Sequence, residues 1–321
     1  MSFARGLKTL VRFGSERYAV VDVGTNSVKF HIGERSADHV WRKIVDRAEV
    51  TRLGQGLQET GRLDPEPIER TVAAIAGMAE EARQERVAGL AAVGTAGLRI
   101  APNGPDFVRA VQARCGVIVE IISGEEEGRL AYLGANAGIG QARGSRVVFD
   151  TGGGSSQFSF GLGDQVDERF SVNVGAVRYT ERYGLAGAVS EDVLSEALGA
   201  MEADLVRLDG RPTPDELVVM GGAATNLAAV KHGLAAYDPD VVQGTVLDRT
   251  EIDRQIELYR TRSADERRMV VGLQPARADI ILAGACIVRT VLGKLGSDSL
   301  TVSDRGLRHG VLVARFGQQD G

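Results

Sequence analysis

Two short stretches combine the residue types that hold a phosphate group: Asp22-Val-Gly-Thr-Asn-Ser27 and Asp150-Thr-Gly-Gly-Gly-Ser-Ser156. In each, an aspartate ends an apolar run and glycines and hydroxyl residues follow. Glycine at Gly24, Gly152, Gly153 and Gly154 permits turns in which successive backbone N–H groups converge on an anion. Thr25, Asn26, Ser27, Ser155 and Ser156 add side-chain donors. Asp22 and Asp150 cannot meet a phosphate directly, because like charges repel. A divalent cation bridging carboxylate and phosphate removes that repulsion, and Mg²⁺ suits an oxygen-rich site that keeps waters. A pair of ordinary β-hairpin turns is the plainer alternative.

The two stretches match beyond the turns. AVVDVGTNSVKFHIG (19–33) aligns with VVFDTGGGSSQFSFG (147–161) at a shift of 128 residues, with identities at Val20/Val148, Asp22/Asp150, Gly24/Gly152, Ser27/Ser155, Phe30/Phe158 and Gly33/Gly161. Both follow one grammar: apolar strand, Asp, Gly-rich turn, second strand. One copy in each half of the chain implies a duplicated fold with two similar domains around a central cleft.

Three further places carry chemistry. In Glu125-Glu126-Glu127, Ser123 and Glu126 have capping-box spacing, and Glu125 favours the positive end of a helix. Glu127 has neither duty and shares a helix face with Leu130 and Ala131, so its carboxylate points to protein or a cleft. Glu126 as the chemical group, or a purely structural run, are the alternatives. Arg99 follows the Thr95-Ala96 turn, where a guanidinium can grip phosphate with two parallel hydrogen bonds. Gly222, in Gly221-Gly222-Ala223-Ala224-Thr225, stands at a strand-to-helix junction whose N–H groups favour anions; a close-packed turn is the other reading.

The elements that must position these residues alternate strand and helix, which makes an α/β architecture. Strands are expected at Tyr18–Phe30 (with the turn inside it), Val87–Gly94, Val117–Ile122, Arg146–Asp150, Ser156–Phe160, Gln165–Val172 and Leu217–Met220. Helices are expected at Pro65–Arg86, Pro105–Arg114, from Ser123, and at Ser190–Leu208, Ala223–His232, Thr250–Thr261, Ser263–Val271 and Arg277–Leu295. The length of 321 residues suits two domains. Composition excludes other classes. With 38 basic against 43 acidic residues the net charge is −5, which offers no overall attraction for nucleic acid or an anionic membrane. Cys115 and Cys286 stand far apart in apolar patterns, and the four histidines have no metal-binding spacing. No apolar run has signal-peptide or membrane-span length. A cytoplasmic protein is expected.

The paired turns resemble the phosphate loops of the actin-like, sugar-kinase and Hsp70 superfamily. More narrowly, the chain resembles the exopolyphosphatase / guanosine pentaphosphate phosphohydrolase family. The segments Gly94-Thr-Ala-Gly-Leu-Arg99, Ile122-Ser-Gly-Glu-Glu-Glu-Gly-Arg129, Met220-Gly-Gly-Ala-Ala-Thr-Asn-Leu227 and Val302-Ser-Asp-Arg-Gly-Leu-Arg-His-Gly310 occur in the family's order. The resemblance implies a duplicated actin-like (ribonuclease H-like) fold. Domain I is then 1–124, with a basic extension 1–17 and a segment 305–321 packing back on it, and domain II is 125–304. It also implies Glu127 as catalytic base, Arg99 as a phosphate-binding catalytic arginine, the three glycine loops as phosphate sites, Mg²⁺ held by Asp150 and Asp22, and a homodimer. Activity is then expected as release of orthophosphate from the end of polyphosphate. The other possibilities are hydrolysis of guanosine pentaphosphate, an actin-like sugar or acid kinase, and a catalytically weak sensor of polyphosphate or alarmone. The second loop departs from the family pattern at Gln157, where a glutamate is usual, and Ala223 removes a hydroxyl from the third. An acidic protein that holds a long polyanion needs a local basic track. The densest run is Arg254, Arg260, Arg262, Arg267 and Arg268, although Glu257, Asp265 and Glu266 interleave with it as on a solvated face.

Overall fold

The computed structural model describes residues 15–25, 27–36 and 41–317. Asn26 and most of the basic N-terminal extension therefore lie outside the described residues. The chain divides into two compact units, one comprising residues up to 122 together with those from 315 onward, the other 123–314.

The first unit is built on strands β1 (Glu16–Val23), β2 (Ser27–Arg35), β3 (Trp41–Val50), β4 (Gly89–Gly94) and β5 (Val119–Ile121), in the order β3-β2-β1-β4-β5. The second contains β6 (Ser145–Thr151), β7 (Ser156–Leu162), β8 (Gln165–Val172), β9 (Glu216–Met220), β10 (Val246–Asp248) and β11 (Ser299–Val302), in the order β10-β11-β9-β6-β7-β8. Read from the other edge, β8-β7-β6-β9-β11 repeats the first sheet strand for strand, and β10 is an addition. In both five-strand repeats, the first three strands are antiparallel and the remaining contacts parallel, while the added β10 pairs antiparallel with β11. This is a duplicated, actin-like α/β fold.

The duplication holds at the level of single residues. Asp22 faces Lys29 across β1 and β2, and Asp150 faces Gln157 across β6 and β7, the same register displaced by 128 positions. A register shift follows at Ile32/Gly33 in the first sheet and at Phe160/Gly161 in the second. The Gly33/Gly161 identity thus marks a bulge, where one strand carries an extra residue and bends.

Helices close the layers for legible reasons. Pro65–Gln84 starts on Pro65, whose missing N–H is no loss in a first turn, and buries Val72, Ile75, Met78, Ala79 and Ala82 at helical spacing. Ile281–Lys294 is apolar nearly all round and runs through the core of the second unit. The sequence pattern passes over β3, β10, β11 and the helices Ala96–Ile100, Ala176–Tyr183 and Leu307–Phe316. The helix expected over Ser263–Val271 ends at Arg267, although its capping box forms in full between Ser263 and Glu266. Residues 305–314 stay with the second unit because Gly310 packs directly on the Leu130 carbonyl, an approach that only glycine permits. Only from Arg315 does the chain join the first unit, where Phe316 stacks on Tyr18 with ring centroids 4.5 Å apart.

Candidate functional site

Within the second unit, strand alternation decides which way Asp150 points. Val147 and Phe149 enter the main core, whereas Val148 joins Tyr132, Ala135, Val218 and Met220 under the helix Gly124–Ile139. Asp150 shares the face of Val148, and Gln157, directly opposite, shares it too. The same helix is fastened to this face near its start. Ser159 Oγ donates to the Gly128 carbonyl at 3.2 Å, and Arg169 donates to the Glu125 carbonyl at 2.9 Å. Glu127 therefore sits in the first turn of a helix laid over the face that carries Asp150.

The acidic run divides as its surroundings dictate. Ser123 caps the helix by accepting from Glu126 N at 3.1 Å. The Glu126 carboxylate is held by both forks of Arg129, at 2.7 and 2.8 Å, and this pairing raises the Arg129 pKa. Glu125 is exposed, while Glu127 is half-buried.

The second loop is closed by a hydrogen bond from Gly152 N to Ser155 O, 2.9 Å, and the first by its counterpart from Gly24 N to Ser27 O, 3.0 Å. Both are hairpin loops. The carbonyls of Gly152 and Gly153 accept from Ala176 N and Val177 N, each at 2.9 Å, at the start of Ala176–Tyr183. A trans peptide points its N–H opposite to its carbonyl, so the N–H groups of Gly153 and Gly154 turn away from that helix. Gly175 makes this possible. A Cβ there would overlap the backbone of Gly153 and Gly154. The sequence reading passed over Gly175, whose only signal is a lone Gly after a strand.

The hydroxyls in the loop have separate fates. Ser155 Oγ accepts from Gln157 Nε2 at 2.8 Å, which leaves the hydroxyl proton to donate outward. Ser156 is a correction to the expected phosphate cradle. Its side chain is buried and its one proton goes to the Val174 carbonyl at 2.7 Å, with Thr151 Oγ1 3.0 Å away.

In the third loop, each glycine leaves room for a charge. A Cβ on Gly221 would run into Asp150 Oδ1, and one on Gly222 would lie 2.6 Å from Arg277 Cζ. Asn226 joins the two segments: its Nδ2 donates to the Gly222 carbonyl and its Oδ1 accepts from Gln274 N, both at 2.7 Å. Arg277 was not singled out from sequence.

In the first unit, Thr25 is wedged between two glycines. Gly54 N donates to its carbonyl at 2.8 Å, and a Cβ on Gly97 would stand 2.8 Å from its Oγ1. Arg99, on the short helix after Thr95, donates to the Ile122 carbonyl at 2.9 Å. Asp22 is buried and forms an ion pair with Lys29 Nζ at 3.4 Å. An ammonium already holds its carboxylate, so the donor chemistry at Asp22 does not suit a second cation. Around Asp150 the oxygens are a carboxylate, the Gln157 amide and the Ser155 hydroxyl, a hard set that fits Mg²⁺.

The expected basic track is not there. Arg254, Arg260 and Arg268 pair with Glu251, Glu257 and Asp265 on their own helices, and Arg262 bonds the Leu258 carbonyl. Arg267 is fully buried and donates to the carbonyls of Tyr259, Leu185, Ala186, Gly187 and Ala278. Burial lowers its pKa to about 10. Arg267 is therefore structural, and the other four are engaged within their own surroundings rather than aligned as an open track.

Among the described residues, no helix is long and apolar enough to cross a membrane. Compared with known proteins, residues 32–318 match the Ppx/GppA phosphatase family. The chain is 30% identical to Exopolyphosphatase 2 of Mycobacterium tuberculosis, across 94% of this chain and 99% of that protein. Its structure resembles the Ppx/GppA phosphatase of Aquifex aeolicus, with a TM-score of 0.85 and 33% identity, covering 94% of this chain and 99% of the other. An exopolyphosphatase from Cytophaga hutchinsonii, 22% identical, shares the fold with a TM-score of 0.81 over 94% of this chain and 97% of its own.

Proposed function

Because the chain belongs to the Ppx/GppA phosphatase family, we propose that it is an exopolyphosphatase, cleaving the terminal phosphoanhydride bond of inorganic polyphosphate to release orthophosphate. The observation that carries this reading lies in the second unit. Glu127 stands in the first turn of the helix that covers the Asp150 face, beside a loop whose N–H groups are turned outward. In this reading, water attacks the terminal phosphorus and its proton passes to the Glu127 carboxylate. The bond from phosphorus to the bridging oxygen breaks, and the chain leaves one phosphoryl group shorter. Such transfers have loose transition states, so positioning and charge stabilisation dominate. A general base contributes about 10²- to 10⁴-fold.

The N–H groups of Gly153 and Gly154 and the Ser155 hydroxyl would take the phosphoryl oxygens in the second unit. Thr25, Ser27 and Arg99 are the donors this reading assigns in the first, the Gly24 N–H being spent on closing its loop. A divalent cation, held by Asp150 with the Gln157 amide oxygen, would neutralise charge on the phosphate oxygens. Asp22 is left out of that set by its pairing with Lys29. A homodimer accompanies the reading, as the family resemblance implies, and light scattering on the purified protein tests it.

The test of function is phosphate release from polyphosphate, guanosine pentaphosphate and ATP, with and without Mg²⁺. The proposal expects polyphosphate to be hydrolysed fastest and only with the metal. Preference for guanosine pentaphosphate would replace it with the alarmone hydrolase, and release from none of the three would leave a binding protein.

A further inference from the structure

The helix Gly124–Ile139 is seated at two places. Toward its end, Tyr132 Oη and Asn136 Nδ2 each donate to the Gly163 carbonyl at 3.1 Å. At its start, the grip comes from one cross-strand pair. Ser159 and Arg169 lie directly opposite one another on β7 and β8. Ser159 Oγ reaches the Gly128 carbonyl and Arg169 Nη1 the Glu125 carbonyl, so the two carbonyls that bracket Glu126 and Glu127 are both held. Gly128 admits the pair, since a Cβ there would stand 3.0 Å from Arg169 Cδ and 3.2 Å from Ser159 Oγ. The bond to Glu125 lies at the surface, where water competes for both of its ends, so it adds little to stability. What it fixes is the placement of the first turn.

We propose that Arg169, with Ser159, is a positioning residue that sets the Glu127 carboxylate against Asp150. β7 is the ruler between them. Gln157, opposite Asp150, and Ser159, bonded to Gly128, are two residues apart on one face of that strand, a separation of about 7 Å. A strand does not stretch, so a first turn fastened to Ser159 and Arg169 keeps a constant distance from the Asp150 side of the site. In the first unit, the residue 128 positions before Ser159 is His31. Its cross-strand partner is Asp46, and these two side chains turn to one another, 3.6 Å apart. The clamp thus belongs to the copy that carries the proposed base. Misplacing a catalytic group by about 1 Å can cost about 100-fold in rate, so a bond of little weight in stability can still decide turnover.

This inference rests on the polyphosphate reading with Glu127 as base, and its test separates the two. Phosphate release from polyphosphate with Mg²⁺ is measured for the wild type, Arg169→Met, Arg169→Lys and Ser159→Ala. Arg169→Met and Ser159→Ala are also combined with Glu127→Gln, and circular dichroism checks that each variant is folded at the assay temperature. Arg169→Met keeps the stem over Gly128 but removes the donor, so kcat should fall by about 10- to 100-fold with KM within about twofold. Arg169→Lys, which restores a donor, should recover part of the loss. Ser159→Ala deletes one hydroxyl and should lower kcat by about 3- to 10-fold. In the Glu127→Gln background neither substitution should change the residual kcat by more than about twofold, since a residue that acts through Glu127 has nothing left to place. Unchanged kcat in Arg169→Met overturns the assignment; if that variant does not fold, unchanged kcat in Ser159→Ala does. An equal loss with and without Glu127 also overturns it, marking a general structural role. So does a raised KM at constant kcat, which would make Arg169 a substrate contact. If the wild type does not turn over polyphosphate, or Glu127→Gln alone retains turnover, the underlying reading falls, and this inference with it.

Discussion

Asp150 and Gln157 are cross-strand partners, directly opposite one another on β6 and β7, and the amide of Gln157 donates to Ser155 rather than carrying charge. Directly opposed side chains on one face stand close enough for like charges to repel. Gln157→Glu should therefore create a carboxylate pair that needs a cation. Without Mg²⁺ the variant should melt below the wild type, and added Mg²⁺ should raise its melting temperature more steeply, because a ligand bound only by the native state stabilises it. Half-maximal activity should come at lower metal. Identical metal titrations for the two proteins would remove Gln157 from the cation's surroundings.

Glu127→Gln keeps the size of the side chain but cannot take a proton. Turnover on polyphosphate should fall by about 10²- to 10⁴-fold with tripolyphosphate affinity and melting temperature retained. Glu126→Gln weakens the Arg129 pair and should stay within about threefold of wild type, since partly exposed pairs contribute about 0–1 kcal/mol. The reverse ranking of the two variants would move the base to Glu126.

Arg267→Met is expected to act on stability. It strips the donor from five buried or half-buried carbonyls around residues 185–187, 259 and 278, and each unsatisfied group costs about 1–3 kcal/mol. Denaturant unfolding should show a loss of at least about 3 kcal/mol. Arg268→Ala, at an exposed residue paired with Asp265, should change stability by less than about 0.5 kcal/mol. A raised KM for long polyphosphate in Arg268→Ala would restore a basic track.

The two cysteines should differ in reactivity. Burial pushes the Cys286 thiol up to about 12, whereas Cys115 is only half-buried and donates to the Val111 carbonyl. The thiolate is the reactive form. At pH 8 a disulfide reagent should therefore label Cys115 alone in the native protein, and both after unfolding. Rapid labelling of two thiols in the folded state would contradict the packing of the Ile281–Lys294 helix.

The paired hairpins were legible in the sequence because their information is local. Asp, the Gly-rich turn and the closing Gly recur within fifteen residues, and hairpin register follows from them. What escaped depends on distance along the chain. Arg277 meets Gly222 across 55 positions, and nothing in either segment's pattern foretells that contact. The arginine run misled for a related reason. Whether Arg267 faces water or five carbonyls is decided by where residues 185–187 come to lie. Gly175 could have been suspected only from its position between a strand and a helix. Lys29 was within reach, since the hairpin that places Asp22 also places its partner opposite.

Phe316 has a bearing on biosynthesis. The ring that stacks on Tyr18 and fills the hollow over Gly89 arrives more than two hundred residues after both partners, together with Arg315, which pairs with Glu120. A ribosome emitting this chain delivers the five strands of the first unit early, but their last covering contact only after the whole second unit has passed. The early part must wait, incompletely sealed, while 123–314 emerges and folds. Its exposed Tyr18 edge in that interval is where a nascent-chain chaperone would find its hold, and truncation just before residue 315 would make the waiting state permanent.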